Sequence, residues 1–393
     1  MSEIVEVARL RAEPIAILAA GVTTPLGFDL DAFWSGLITG ADGISAIERF
    51  RVEDLRVRRG GEIKKLQTAG CRASAFLIAA AGDLLARARL GAAADRIAVV
   101  TGTALGGVEE LERALGGAAG LRPAVGGLYD SPAHALARSV GARGPVITVS
   151  TACASGATAL GVAADLLSDD AADLVIAGGY DVLCRFVMRG FDALRSLTRE
   201  HVRPFDRRRA GLLLGEGAAL VLMAREADVT APRLGRLLGH ASGSDGSHIA
   251  APDPEGRGLE FSARAAMREA GVSAADVDFV SAHGTGTVLN DRIETTVLKR
   301  VLGTRAHAVP VNSIKGALGH TMGAAATLEA VMCLLAARDG VVPATHGYEE
   351  PDPDCDLDYV AGQARAACTR ISLSTSLGFG GCNAALVLEG SSR

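Results

Sequence analysis

Aromatic residues make up only 4% of this 393-residue chain, with a single tryptophan, so there is no series of rings on which nucleotide bases or sugars could stack. Lysine is also scarce: Lys64, Lys65, Lys299 and Lys315 are the only four among 40 basic residues. With a formal net charge of −5, the chain as a whole lacks the positive surplus that polyanion binding needs. The seven cysteines form no CxxC pair, and their odd number in a long chain indicates neither a disulfide framework nor a zinc site; reduced thiols are expected. Long apolar runs are missing as well. Segments 75–86 and 212–224 are interrupted by Asp83 and Glu216 and fall short of the ~18 residues that span a bilayer. Residues 1–8 carry Glu3 and Glu6 where a signal peptide has a basic start, so a cytoplasmic protein is expected.

What the chain does have is apolar content, 49% of residues, and 48 glycines against 13 prolines. Apolar, β-branched runs predict strands at 15–20, 97–101, 146–150, 174–177 and 218–223, then at 279–282, 309–311, 372–376 and 385–388. Ala- and Leu-rich stretches predict helices at 75–89, 154–167, 260–270, 291–302 and 323–338. This alternation means parallel sheets covered by helices, an α/β fold. Segments 95–103 and 276–285 each follow a helix and end a strand in a Gly/Thr loop, which suggests duplication. The loop formers at 239–248 mark the expected join, giving halves 1–245 and 246–393.

Cys153 lies in Thr151-Ala152-Cys153-Ala154-Ser155-Gly156, between a predicted strand and a predicted helix. A thiol at a helix N-terminus meets unpaired N–H groups and the positive end of the helix dipole, which favour thiolate. A lone cysteine is more often an inert core residue. Three further segments bear on that choice. His283 ends a predicted strand in His283-Gly284-Thr285-Gly286-Thr287; His320 closes Asn312-Ser313-Ile314-Lys315-Gly316-Ala317-Leu318-Gly319-His320; and Gly378-Phe379-Gly380-Gly381 is a loop whose backbone could approach a reacting atom closely.

In this order the motifs resemble the elongating β-ketoacyl-ACP synthases of the thiolase superfamily, including type II fatty-acid and polyketide ketosynthases. The likeness runs from about Pro14 to Glu389 and includes Arg203-Pro204-Phe205-Asp206 and Gly215-Glu216-Gly217. It implies a thiolase-like, five-layered αβαβα fold built from two duplicated halves. It also implies that Cys153 carries the acyl chain, that the N–H groups of Cys153 and Phe379 hold an oxyanion, and that His283 and His320 stabilise the enolate left when malonyl-ACP loses CO2. Lys315 and Glu329 match a supporting pair, and Asp291 and Glu294 are expected to brace the His283 loop. Thr285 and Thr287 match positions that bond the pantetheine arm, while Leu105, Phe379 and Gly380 are expected at the acyl pocket.

The substrates arrive on the phosphopantetheine of an acidic acyl carrier protein, so no resident cofactor or metal is expected. Lys64, Lys65, Arg72 and Arg209 are candidates for a basic rim that steers the carrier, with Arg207 and Arg208 beside the last. Family members dimerise, and a homodimer or a heterodimer with a homologous subunit is expected through the strand at 174–177. Leu377 and Cys382 depart from the common pattern, and segment 47–72 is shorter than in fatty-acid synthases; both leave the acyl chain open and suggest a specialised pathway of aryl-polyene or related polyketide type. Two other classes compete: a non-catalytic chain-length partner subunit, which typically lacks the nucleophile, and a cysteine hydrolase.

Overall fold

The computed structural model describes residues 13–66, 70–117 and 121–391; the reading of residues 1–8 lies outside them. Ten strands form the main sheet: β1 Ile15–Thr23, β2 Ile97–Gly102, β3 Val146–Val149, β4 Leu174–Asp181, β5 Gly217–Arg225, β6 Gly235–Ser244, β7 Phe279–Ser281, β8 Val311–Asn312, β9 Ile371–Gly378 and β10 Cys382–Gly390. Their spatial order is β8-β7-β9-β10-β6-β1-β5-β4-β2-β3.

That order contains the duplication. From one end the strands run β3-β2-β4-β5-β1, and from the other β8-β7-β9-β10-β6, the same path with each strand replaced by its counterpart five places later. Strand directions repeat too: β2 is parallel to β3 and β4 as β7 is to β8 and β9, while β5 and β10 are antiparallel to both neighbours. The halves meet where β1 pairs with β6, over only Ile15–Ile17 against Gly235–Leu237.

Strand β6 occupies much of the segment expected to be a loop join. Its glycines disguise it. A Cβ at Gly239 would lie 2.5 Å from the Ala266 carbonyl oxygen, so glycine is required where a helix crosses the strand closely. The repeat opens with β6, so residues 235–244 belong topologically with the second half, ahead of the expected division at 245.

Helices supply the other layers. Outside the first half lies α1, Arg72–Arg87, against β1 and β5. Between the half-sheets lie α2, Ser155–Ser168, and, later in the chain, Ala325–Asp339, the latter buried on every face from Ala325 to Ala336. An all-round apolar helix suits a central layer, not a surface one. Outside the second half are Arg257–Ala270, packed on β6 and β10, and Val288–Leu302 beside it. Among the described residues three of the four apolar cores fill the gaps between these layers, and the middle one takes residues from both central helices. The result is the five-layered αβαβα architecture. No helix among the described residues is long and apolar enough to cross a membrane.

One expectation needs correction. The strand at 174–177 is interior, since β4 pairs with β2 on one side and β5 on the other and all its residues are buried. It has no free edge to offer a second chain. The open edge of the first half is β3, whose four residues are only half-buried.

Candidate active site

Strand β3 delivers the chain to a tight elbow. Ala152 adopts φ +51, left-handed for a residue with a Cβ, and Cys153 follows, one residue ahead of the Ala154 N-cap of α2. The turn is held by Ser155, whose hydroxyl accepts the Thr151 N–H at 2.9 Å and donates to the Ala152 carbonyl at 2.6 Å. Strain maintained this way is typical of functional turns. Cys153 is buried, and its sulfur receives the Phe379 backbone N–H. Burial pushes the thiol up to about 12, against the pull of Lys315 and of that N–H. The helix terminus alone suggested a thiolate; burial outweighs it, so the resting group is a thiol.

His283 follows β7 and His320 follows the short helix Lys315–Leu318. Both rings are buried and meet edge to face, centroids 5.2 Å apart. Burial, with the positive field of Lys315, holds both pKa values well below the usual histidine range, so both rings are neutral. His320 Nδ1 accepts the Met322 N–H at 3.4 Å, which assigns the ring proton to Nε2.

Behind the rings, the ammonium of Lys315 contacts Glu329. Burial raises the Glu329 carboxyl well above its ordinary range while Lys315 opposes the shift. Glu294 accepts the N–H groups of His283 at 2.7 Å and Gly284 at 2.8 Å, and the Thr375 hydroxyl at 2.8 Å. Asp291 accepts the N–H of Gly286 at 3.3 Å and of Phe205 at 2.7 Å, which ties the His283 loop to the Arg203–Asp206 segment.

Cys153, His283, His320 and Phe379 converge on one cleft of roughly 350 Å³, which Thr285 and Thr287 also line. The two threonine hydroxyls lie 3.0 Å apart. Phe191 stacks on Phe379 at 5.3 Å, and the sequence reading missed it because an apolar ring on a helix looks like ordinary core. Leu377 and Gly381 reach the cleft wall; Gly380 does not, its N–H donating to the Ile249 carbonyl at 2.8 Å and its φ of +80 requiring glycine. Leu105 lies outside the cleft lining, packed on the apolar cluster that contains Leu183 and Met188.

The basic rim divides. Lys64 and Lys65 are exposed, Lys64 contacting Glu48. Arg72 and Arg209 are turned inward, which corrects their assignment as carrier contacts. Arg72 is 5% exposed and forms a buried pair with Glu216, and Arg209, 6% exposed, contacts Asp352. Arg208 is half-exposed but engaged by Asp206, Glu349 and Glu350. Asp181, fully buried at the end of β4, was also missed.

The profile of the β-ketoacyl synthase N-terminal domain matches residues 12–229, and that of the β-ketoacyl synthase C-terminal domain matches residues 234–349. The chain belongs to the β-ketoacyl synthase family. Among its relatives is 3-oxoacyl-[acyl-carrier-protein] synthase 2 of Synechocystis sp., 33% identical over 97% of this chain and 99% of that one. Another is the tetracenomycin polyketide synthase ketoacyl synthase alpha subunit of Streptomyces glaucescens, 36% identical over 95% and 96%. The solved ishigamide ketosynthase/chain length factor superposes with a TM-score of 0.91 at 30% identity, covering 97% of this synthase and all of that chain.

Proposed function

We propose that this synthase extends an acyl chain held on Cys153 by two carbons taken from a malonyl thioester on an acyl carrier protein. The convergence of Cys153, the two neutral histidines and the Phe379 N–H on a single cleft supports this reading most directly.

In the first half-reaction the Cys153 sulfur adds to the donor thioester carbonyl. The oxyanion is taken up by the N–H groups of Cys153 and Phe379; losing one such donor costs about 3 kcal/mol in other acyl-transfer enzymes. The pantetheine sulfur leaves with the thiol proton, so the buried site gains no net charge. In the second, the bond to the malonyl carboxylate breaks, CO2 departs, and the electron pair becomes an enolate. Neutral imidazoles donate to its oxygen; burial keeps them neutral, and the field of Lys315 adds to it. The enolate carbon attacks the acyl carbonyl on Cys153, the C–S bond breaks, and the sulfur recovers a proton from water. None of these steps draws on a resident cofactor or metal.

Lys64 and Lys65 are the remaining lysines of the proposed basic rim for an acidic carrier. A second chain, identical or of the chain-length-factor kind, fits the open edge of β3, beside which the exposed Tyr129 reaches Ser150. Intact Cys153, His283 and His320 favour the catalytic role over that of the partner subunit. The seven free cysteines suit the reducing cytoplasm. Leu377 in the cleft wall distinguishes this chain's acyl site, while Cys382 pairs with Gly378 behind that wall, and the pathway is of type II fatty-acid or specialised polyketide kind, aryl polyenes included.

Supplying an acyl-carrier thioester and malonyl-carrier and weighing the product tests the proposal. A β-ketoacyl product two carbons longer supports it; no acylation indicates a partner subunit, and free acid a hydrolase.

A further inference from the structure

Asp181 ends β4 at the interface of the two halves, in a stretch that carries none of the sequence motifs. All four groups facing its carboxylate are donors. Oδ1 accepts the Thr103 hydroxyl at 2.7 Å and the Leu105 N–H at 3.0 Å; Oδ2 accepts the N–H groups of Ala104 at 2.9 Å and Gly323 at 2.6 Å. Three of these donors lie on the loop after β2. The fourth lies three residues beyond His320.

The segment between His320 and Gly323 is strained. Met322 is held at φ +52, a region that a side chain of its size occupies only when neighbours enforce it. Its N–H is the group that bonds His320 Nδ1. Gly323 fits closely against the opposite half, where a Cβ would lie 2.6 Å from Thr103 Cα and 2.7 Å from Asp181 Oδ2. One carboxylate therefore pins the end of a strained turn whose preceding N–H meets the imidazole.

We propose that Asp181 is a positioning residue for His320, fixing the Met322–Gly323 turn and, through the Met322 N–H, the tautomer and direction of the ring. The inference rests on the reading of His320 as a donor to the enolate. An amide replaces the carboxylate poorly: turned toward Ala104 and Gly323 its NH2 faces two backbone N–H groups, and turned the other way it faces the Leu105 N–H and a Thr103 hydroxyl that must give up its bond to accept. A turn released from Asp181 frees His320 Nδ1 to take the proton, and the cleft-facing donor is then lost in part of the population.

The test separates the two half-reactions in the full-length Asp181→Asn chain. CO2 release from malonyl-pantetheine thioester reports the histidine step, and transfer of hexanoyl from hexanoyl-pantetheine thioester to Cys153, read by intact mass, reports the cysteine step. The expected result is a fall of tenfold or more in kcat for CO2 release, with KM and the Cys153 acylation rate within threefold of wild type. Equal loss of both rates marks general loosening of the fold and overturns the proposal, as does an unchanged rate of CO2 release. Where Asp181→Asn does not fold, Thr103→Val removes one donor from the carboxylate. The same split is expected there at two- to fivefold, and equal loss again overturns the proposal. If the wild-type chain releases no CO2, the parent reading falls and takes this inference with it; release by wild type and variant alike sinks the inference alone.

Discussion

Measuring the pH dependence of Cys153 alkylation sets two physical effects against each other. The elbow places the thiol just before α2, where a helix N-terminus favours an anion by ~0.3–1 kcal/mol, up to about 2 when partly buried. Burial moves the thiol from an ordinary 9.0 to about 12, even with Lys315 and the Phe379 N–H pulling the other way. At about 1.4 kcal/mol per pH unit, that is ~4 kcal/mol against the thiolate, more than the helix can return. Because the pKa of this acid is raised, the thiol form persists through neutral pH and thiolate grows only as pH climbs toward 12. At pH 8 the thiolate population should be roughly a thousandfold below that of an unburied cysteine. The assay is the iodoacetamide alkylation rate of the Cys153 peptide by mass spectrometry, with exposed Cys368 as internal reference. The expected log rate at Cys153 climbs by about one per pH unit from pH 7 to 10 without levelling, and Lys315→Met slows it further at every pH. A plateau below pH 8 would refute the reasoning, since it would show that the helix and Lys315 outweigh burial.

Other expectations are simpler. Arg72→Met strips the hydrogen-bonded counter-ion from fully buried Glu216, leaving it Arg49 at 3.9 Å, and should cost about 3–5 kcal/mol in urea unfolding; a loss under about 1 kcal/mol would return Arg72 to the surface. Glu294→Gln turns an NH2 toward at least one of three donors, so a stability loss of about 1–3 kcal/mol and slower CO2 release are expected from calorimetry and a malonyl assay. Replacing Lys64 and Lys65 together by alanine should raise KM for carrier-borne substrates in a salt-sensitive way and leave KM for free pantetheine thioesters unchanged.

Cys153, His283, His320 and Phe379 were legible because each sits in a short contiguous motif whose composition reflects a backbone demand. Thr151–Gly156 makes the elbow, Gly378–Gly381 needs its small residues, and His283 and His320 stand at strand or turn ends. Residues defined by tertiary partners were not legible. Asp181 reads as one more carboxylate at a strand end, and only the fold brings Gly323 to it. Arg72 was placed on the rim by the family resemblance and Arg209 as the end of a basic run, but buried Glu216 and the carboxylate of Asp352 draw them inward. The second half of strand β6 was taken for a loop join because its glycines, needed under a crossing helix, resemble loop composition. The repeat of strand order was foreshadowed only by two Gly/Thr loops, since pairing partners lie far apart in the chain.

The most direct test of the central claim follows the acyl group itself. The chain is incubated with hexanoyl-carrier thioester, and the peptide containing Cys153 is weighed before and after addition of malonyl-carrier. The account expects a hexanoyl adduct on Cys153 alone, which disappears as CO2 is released and a β-ketooctanoyl product forms. An adduct on another residue, or condensation that persists in Cys153→Ala, would contradict it.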